Sequence, residues 1–548
     1  MNFNRNRITE MLKDGTKYIS GVNDAVLKNL EAVGSLADIT RTSMGPNGMN
    51  KMVVNHIGKL FVTHDSATIM KELEVIHPAA KIVVQASEAQ EQEAGDGTNL
   101  VLSLSGEFLH QAEDLLRMGL HTSDIITGYT KAGQRALEVL NELAVEEVSD
   151  LRNKDQVARA MRSAISSKLF GYEDFLANLV AQACISVCPS NTKSFNVDNV
   201  RVTKIPGGTL NDTFILNGFA LTRDTHGTVK HIKNAKIAVY GCAIDIAQTE
   251  TKSTVLIKNA QDLLNYNVSE EKAIESEVQK IADAGINVVV AQGGFGEMAS
   301  HFFERHNIMT VKCQSKFELR RLCRAVGATA LVRVDAPTPE ETGLAGTVDV
   351  REIGDQKVIL FKQQEDEDRA GIATIVVRGA TKNVMDEVER AVDDGVNVFK
   401  NLTKDNRLVA GAGAVEVEMM RRLSQYANET PGLEQYAMRK YAEAFLIIPK
   451  TIAESSGFSA TDVVSNLQAA HQEGKTNFGV DIESLDGLDA VENNILDVLA
   501  TKYWAIKLST DASVTVLSVD QIIMARPAGG PKPPKQQGEW DDQGESVY

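Results

Sequence analysis

A chain of 548 residues is long enough for about three or four folding units, each able to bury a core of its own. With 43% hydrophobic and 24% charged residues it has the composition of a globular protein, and no apolar run is long enough to span a bilayer, which excludes a transmembrane reading. Its 57 basic and 74 acidic residues leave a net charge of −17, which repels a phosphate backbone and excludes nucleic acid as an expected partner.

The amino-terminal MNFNRNRITEMLKDG has no apolar stretch after its basic residues, so neither a secretory signal nor an anchor is expected and the cytoplasm is the expected compartment. From Gly21 to about Arg41, Val22, Ala25, Val26, Leu30 and Val33 recur at helical spacing and stop at the turn residues Gly45-Pro46-Asn47-Gly48. Short strands follow at Lys51–Val54 and Lys59–Thr63, then a long helix is expected from about Ala67 to the loop Gly95-Asp96-Gly97. Five cysteines, Cys184, Cys188, Cys242, Cys313 and Cys323, are scattered and read as reduced thiols; Cys184 and Cys188, four apart in an apolar run, share a helix face and do not form a metal knuckle.

The middle third changes texture. Ala235–Tyr240 and Ile286–Val290 read as buried strands of an α/β unit, with a helix at Glu270–Ala284 that buries Ile274, Val278 and Ile281 and is capped by Gly285. After the acidic stretch Gln363–Asp368, a strand at Ala373–Val377 leads to a helix from about Asn383 to Phe399, and mostly helical sequence continues to Ile523. In that helix Val384, Val388, Val392, Val396 and Phe399 form the expected apolar stripe and Asp394 points away from it, where a surface ion pair with Arg390 is the plain alternative. The tail from about residue 527 is rich in Pro, Gly and charge and is expected to be disordered.

A nucleotide site needs backbone N–H groups around phosphates, a carboxylate for Mg²⁺ and a polar group that positions the attacking water. Each glycine loop, taken singly, is an ordinary turn. The Walker pattern is absent, and Gly411-Ala412-Gly413 supplies half a dinucleotide fingerprint, with Glu416 where its third glycine belongs. Arg41–Met49, Thr63–Ile69 and Gly95–Asn99, in that order and spacing, resemble instead the motifs of the group II chaperonins, and Glu389–Asp394, Val409–Glu416 and Ile495–Asp497 extend the resemblance over all but the termini. Within the eukaryotic set the match is to one subunit type, carried by Gly48–His56, Lys502–Lys507 and Ala528–Pro534.

The resemblance implies a multidomain chaperonin architecture. A mainly α-helical equatorial domain would comprise 1–149 and 405–548, an α/β intermediate domain 150–217 and 372–404, and an α/β apical substrate domain 218–371, with Thr249–Val268 in a built-in helical lid and Gln314–Ala325 facing clients. It implies ATP/ADP and Mg²⁺ as cofactors and ATP hydrolysis that drives lid closure. Ser43, Met44, Gly45 and Pro46 would cradle phosphates with Gly97, Thr98 and Asn99; Asp96 would hold Mg²⁺; Asp65 and Asp394 would flank the attacking water; Lys168 would sense phosphate; and Gly411, Ala412, Gly413 and Asp497 would contact the nucleoside. The implied partners are paralogous subunits in a double eight-membered ring and unfolded clients of the actin and tubulin kind. Ala412 interrupts the family's triple glycine, and His64 and Ser66 depart from its pattern around Asp65. The alternatives are therefore a ring subunit that binds ATP and hydrolyses it weakly, and a dinucleotide enzyme that uses 411–416.

Overall fold

The computed structural model describes residues 17–20, 25–245, 260–363 and 371–524. The acidic stretch 364–368, the segment 249–259 of the expected lid and the tail from 527 lie outside those residues.

After β1 (Lys17–Ser20), α1 (Leu27–Arg41) buries Leu30, Val33 and Leu36 at the spacing that predicted it. Strands β2 (Lys51–Val54) and β3 (Leu60–Thr63) then pair as an antiparallel hairpin. The single helix expected after it is two, α2 (Ser66–Glu72) and α3 (Pro78–Glu93), because Pro78 has no N–H to donate to a preceding turn and instead begins a new helix. Two long helices follow, α4 (Thr98–Arg117) and α5 (Thr122–Glu142), then the short strand β4 (Glu146–Glu147) and the pair α6 (Lys154–Ser166) and α7 (Glu173–Val187). Cys184 and Cys188 are buried on α7 and at its C-cap, and no disulfide forms among the described residues.

A mixed nine-stranded sheet occupies the middle of the chain. It is built from β5 (Val200–Pro206), β6 (Phe214–Leu221), β7 (His231–Tyr240), β8 (Val288–Ala291), β9 (Met309–Lys312), β10 (Ala330–Leu331), β11 (Gly343–Ile353), β12 (Gln356–Lys362) and β13 (Ala373–Gly379). The order is β5-β13-β6-β12-β11-β7-β8-β9, with β10 beside β7. The β7, β8 and β9 run is parallel, and all four residues of β8 are buried, as a strand covered on both faces requires. Helices α8 (Ala260–Asp283), α9 (Glu297–Arg305) and α10 (Lys316–Val326) accompany it. Helix α8 begins ten residues earlier than the expected Glu270, buries the predicted Ile274, Val278 and Ile281, and is followed by Gly285 at φ +76°.

The last part of the chain is mostly helical: α11 (Lys382–Leu402), α12 (Ala414–Glu429), α13 (Glu434–Ala444), α14 (Ile447–Ser455), α15 (Ala460–Gln472) and α16 (Leu499–Leu517). Short strands β14 (Arg407–Ala410), β15 (Phe478–Gly479), β16 (Leu488–Asp489) and β17 (Leu496–Val498) punctuate it, and β18 (Gln521–Met524) pairs antiparallel with β1, joining the two ends of the described chain. One large core draws on both ends, from Val26 to Leu143 and again from Val409 to Leu517, with Phe108 stacked on Tyr441 at 4.2 Å at its centre. A second core joins α6, α7 and α11 to β5 and β13, and two more cover the faces of the sheet around β7 and β8. The expected stripe on α11 needs correcting: Val384 is 38% exposed, while Asp394, expected to point away from the core, is buried. That helix is covered on more than one side, so a single apolar stripe does not describe it.

Candidate functional site

Six segments distant in sequence meet around a cavity of about 210 Å³. The turn after α1 contributes Ser43, Met44 and Gly45; the β3–α2 junction contributes His64 and Asp65; the start of α4 contributes Asp96, Gly97, Thr98 and Asn99. Lys168 follows α6, Ala412 and Gly413 precede α12, and Asp497, Thr501 and Lys502 come from the β17–α16 junction. Pro46 lines an adjoining, more apolar cavity of about 270 Å³ with Ala412, Ile452, Val480, Ile482 and Leu488. Gly411 and Asp394 are set back from both: the Gly411 N–H donates to the Ile495 carbonyl at 2.9 Å, and Asp394 sits behind Lys168.

The loops differ in what they offer an anion. Gly97 at φ +81° caps the N-terminus of α4 and Gly413 at φ +78° that of α12, so two long helices begin at the cavity; on α12 the first N–H, that of Ala414, is already taken by the Gly411 carbonyl at 3.0 Å. The 45–48 loop instead follows the C-terminus of α1, so it gains nothing from that helix's dipole. Gly45 at φ +84° bends the chain there, and Ser43 Oγ donates to the Thr40 carbonyl at 2.6 Å, fixing the turn.

Lys168 is the electrostatic centre. Its Nζ lies 2.6 Å from Asp65 Oδ1 and 3.5 Å from Asp394 Oδ2, with all three side chains nearly enclosed. Burial would raise the Asp65 carboxyl, but the charge and hydrogen bond of Lys168, with hydrogen bonds from Thr68, hold it below the usual carboxylate range. Burial pushes Asp394 well above that range against the pull of Lys168, and its Oδ2 is buried without a hydrogen bond among the described residues. Burial also raises Asp96, opposed by Lys168 and by the Gly97 N–H, which donates to Asp96 Oδ1 at 2.6 Å. Asp65 and Asp394 thus contact one ammonium and Asp96 lies in its field, which leaves the cluster short of positive charge.

A sequence match gives this arrangement its context: residues 36–527 fit the TCP-1/cpn60 chaperonin family. The chain belongs to that family. This chaperonin chain is 52% identical over 528 residues to T-complex protein 1 subunit theta of Dictyostelium discoideum, covering 96% of this chain and 98% of the relative. It is 52% identical over 535 residues to the human theta subunit, covering 97% of each chain, and 49% identical over 527 residues to that of Arabidopsis thaliana, covering 96% of each. The match to one subunit type is what the segments near residues 48, 502 and 528 predicted.

The chaperonin cavity also contains residues that sequence reasoning missed. Lys502 lies 2.6 Å from Glu416 and 3.1 Å from Asp497. Burial works against the Lys502 charge, but Glu416 and Asp497 overcome it and hold the ammonium above the usual lysine range. Nothing local signals this pair, because its members are 86 positions apart. His64, noted only as a departure, forms part of the wall: its Nδ1 is 2.9 Å from Asn50 Oδ1 and 3.5 Å from Glu387 Oε2, and burial lowers its pKa despite Glu387. The alternative surface pairing of Arg390 with Asp394 gives way to Arg390 with Glu387 at 2.7 Å. Among the described residues no helix is long and apolar enough to cross a membrane.

Proposed function

We propose that this chaperonin chain is a cytoplasmic, ATP-hydrolysing ring subunit in which hydrolysis drives the closure of a chamber around unfolded clients of the actin and tubulin kind. The observation that carries the reading is Lys168, held between Asp65 and Asp394 beside a cavity into which the N-terminus of α4 opens. Such a cavity suits a triphosphate: the N–H groups of Thr98 and Asn99, that of Gly97 once it leaves Asp96, and the turn of Ser43, Met44, Gly45 and Pro46 would hold phosphate oxygens, and Lys168 would sense the terminal one. The excess of carboxylates over ammonium fits a hard divalent cation, and Asp96 would hold Mg²⁺, which when bound neutralises phosphate charge. Asp394, made more basic by burial and with an oxygen free of hydrogen bonds among the described residues, would take a proton from the attacking water that Asp65 helps to orient. Gly411, Ala412, Gly413 and Asp497 would border the nucleoside. The methyl of Ala412 lies against Gly479, whose missing side chain makes room for it.

The helical core built from both chain ends supports an equatorial domain of about 1–149 and 405–548. The second core supports an intermediate domain of about 150–217 and 372–404, and the sheet and its helices an apical domain of about 218–371 with its lid protrusion. Movement between them would convert the loss of phosphate contacts at Lys168 into closure. The partners would be paralogous subunits in a double eight-membered ring.

In the assembled complex, Asp394→Ala should leave ATP binding by this chain intact and slow single-turnover hydrolysis at its site by about 10²–10⁴-fold. Unchanged hydrolysis would remove Asp394 from the chemistry, and slow hydrolysis in the wild type would favour a ring subunit that binds ATP and hydrolyses it weakly.

A further inference from the structure

Ala412 adopts φ +53°, a left-handed conformation that a residue with a Cβ rarely takes, in the loop that leads into α12 and borders both cavities. Something outside the loop must hold it there. The β15–β16 hairpin does so: the Val480 N–H donates to the Ala412 carbonyl at 2.8 Å, and Gly479 packs so closely that a Cβ on it would stand 2.8 Å from both the Ala412 methyl and its carbonyl oxygen. The hairpin is very short, with two residue pairs, Phe478 with Asp489 and Gly479 with Leu488, so it needs an anchor of its own.

That anchor is His471. It lies at the end of α15, 1% exposed, and its Nε2 donates to the Phe478 carbonyl at 2.8 Å. Its Nδ1 lies 3.1 Å from Glu418 Oε2, and the fully buried Glu418 carboxylate is itself clamped by Arg421 and Arg422 at 2.6 to 2.9 Å. Glu418 stands on α12, five positions after Gly413, so the contacts close a ring from the loop along α12 to Glu418, across to His471, through the hairpin and back to Ala412.

We propose that His471 is a positioning residue for the nucleotide loop: through the hairpin it holds Ala412 in its left-handed conformation, and so sets the affinity for the nucleoside without touching it. The inference rests on the ATP reading above, and the test separates the two. In the assembled complex, labelling of this chain by 8-azido-ATP gives the half-saturating concentration, and hydrolysis at saturating ATP gives the turnover. His471→Ala should raise half-saturation about tenfold, the loss of one buried hydrogen bond and what it holds, while turnover stays within about twofold. In an Ala412→Gly background, where the left-handed conformation needs no external support, the same substitution should have a clearly smaller effect. An unchanged half-saturation, or equal shifts in the two backgrounds, would overturn the positioning role. No labelling of the wild type would overturn the ATP reading and this inference with it. Should His471→Ala fail to assemble, Gly479→Ala leaves the Glu418 cluster whole and drives a methyl into Ala412; it should show the same rise, and its absence would overturn the proposal.

Discussion

Lys168 illustrates how much one charge can organise. Asp65, Asp96 and Asp394 all feel its field, and of the three only Asp65, which it bonds directly, is pulled below its ordinary range. For Asp65 the sign follows from that depression: its stabilising contribution is present above the unfolded value near 3.8 and is lost as pH falls through the lower folded value. Removing the cation reverses the case. In Lys168→Met the carboxylates are left buried without a counter-charge, so their folded pKa values rise, and the resulting penalty grows with pH. We expect a loss of roughly 3–5 kcal/mol near neutral pH, read from urea denaturation, that shrinks as the pH is lowered toward about 5. A loss independent of pH would mean that Lys168 acts by packing alone. The loop residues of this cluster were legible because they sit in contiguous motifs. The Glu416–Lys502 pair was not, since its two halves carry no shared pattern and only the fold brings them together.

Among the elements, the helices that form the large core were legible where one face is buried, as in α1, and were misread where burial or a break departs from that simple case. Val384 matches the period of α11 and is exposed, and Pro78 starts a new helix inside a stretch whose composition predicts a single one. The packing of α1 against α4 gives a paired prediction. Gly106 faces Ala37 so closely that an added Cβ would lie 2.3 Å from the alanine methyl, whereas nothing lies within 4 Å of a Cβ added at Gly34 on α1. Gly106→Ala should therefore cost about 1–3 kcal/mol through overpacking. Gly34→Ala should gain about 0.5–1 kcal/mol, because it replaces a flexible residue in a helix without a clash. Opposite shifts in the thermal unfolding midpoint check both, and a stabilising Gly106→Ala would show that the two helices are not in fixed contact there.

At the scale of the whole molecule, one surface is out of keeping with a solitary acidic chain. On the β2–β3 hairpin Met52 is 71% exposed, Val54 62%, Ile57 77% and Leu60 54%, so four apolar side chains stand open among the described residues. Val54 pairs with Leu60 across the hairpin and Met52 lies two residues from Val54, which places those three on one face. An isolated two-stranded hairpin is marginal in water, and a contiguous apolar patch on a monomer usually marks a contact. The proposed ring would supply that contact, because each of its subunits would bury surface against a neighbour. Met52→Lys with Val54→Lys adds two charges where desolvation would be required, yet both positions already face water within the chain, so the fold itself should hold. Circular dichroism should remain that of the wild type while native mass spectrometry shows the chain leaving the ring-sized complex for its single-chain mass. A ring that assembles normally with both lysines in place would show that the hairpin faces solvent in the complex and that neighbours meet elsewhere.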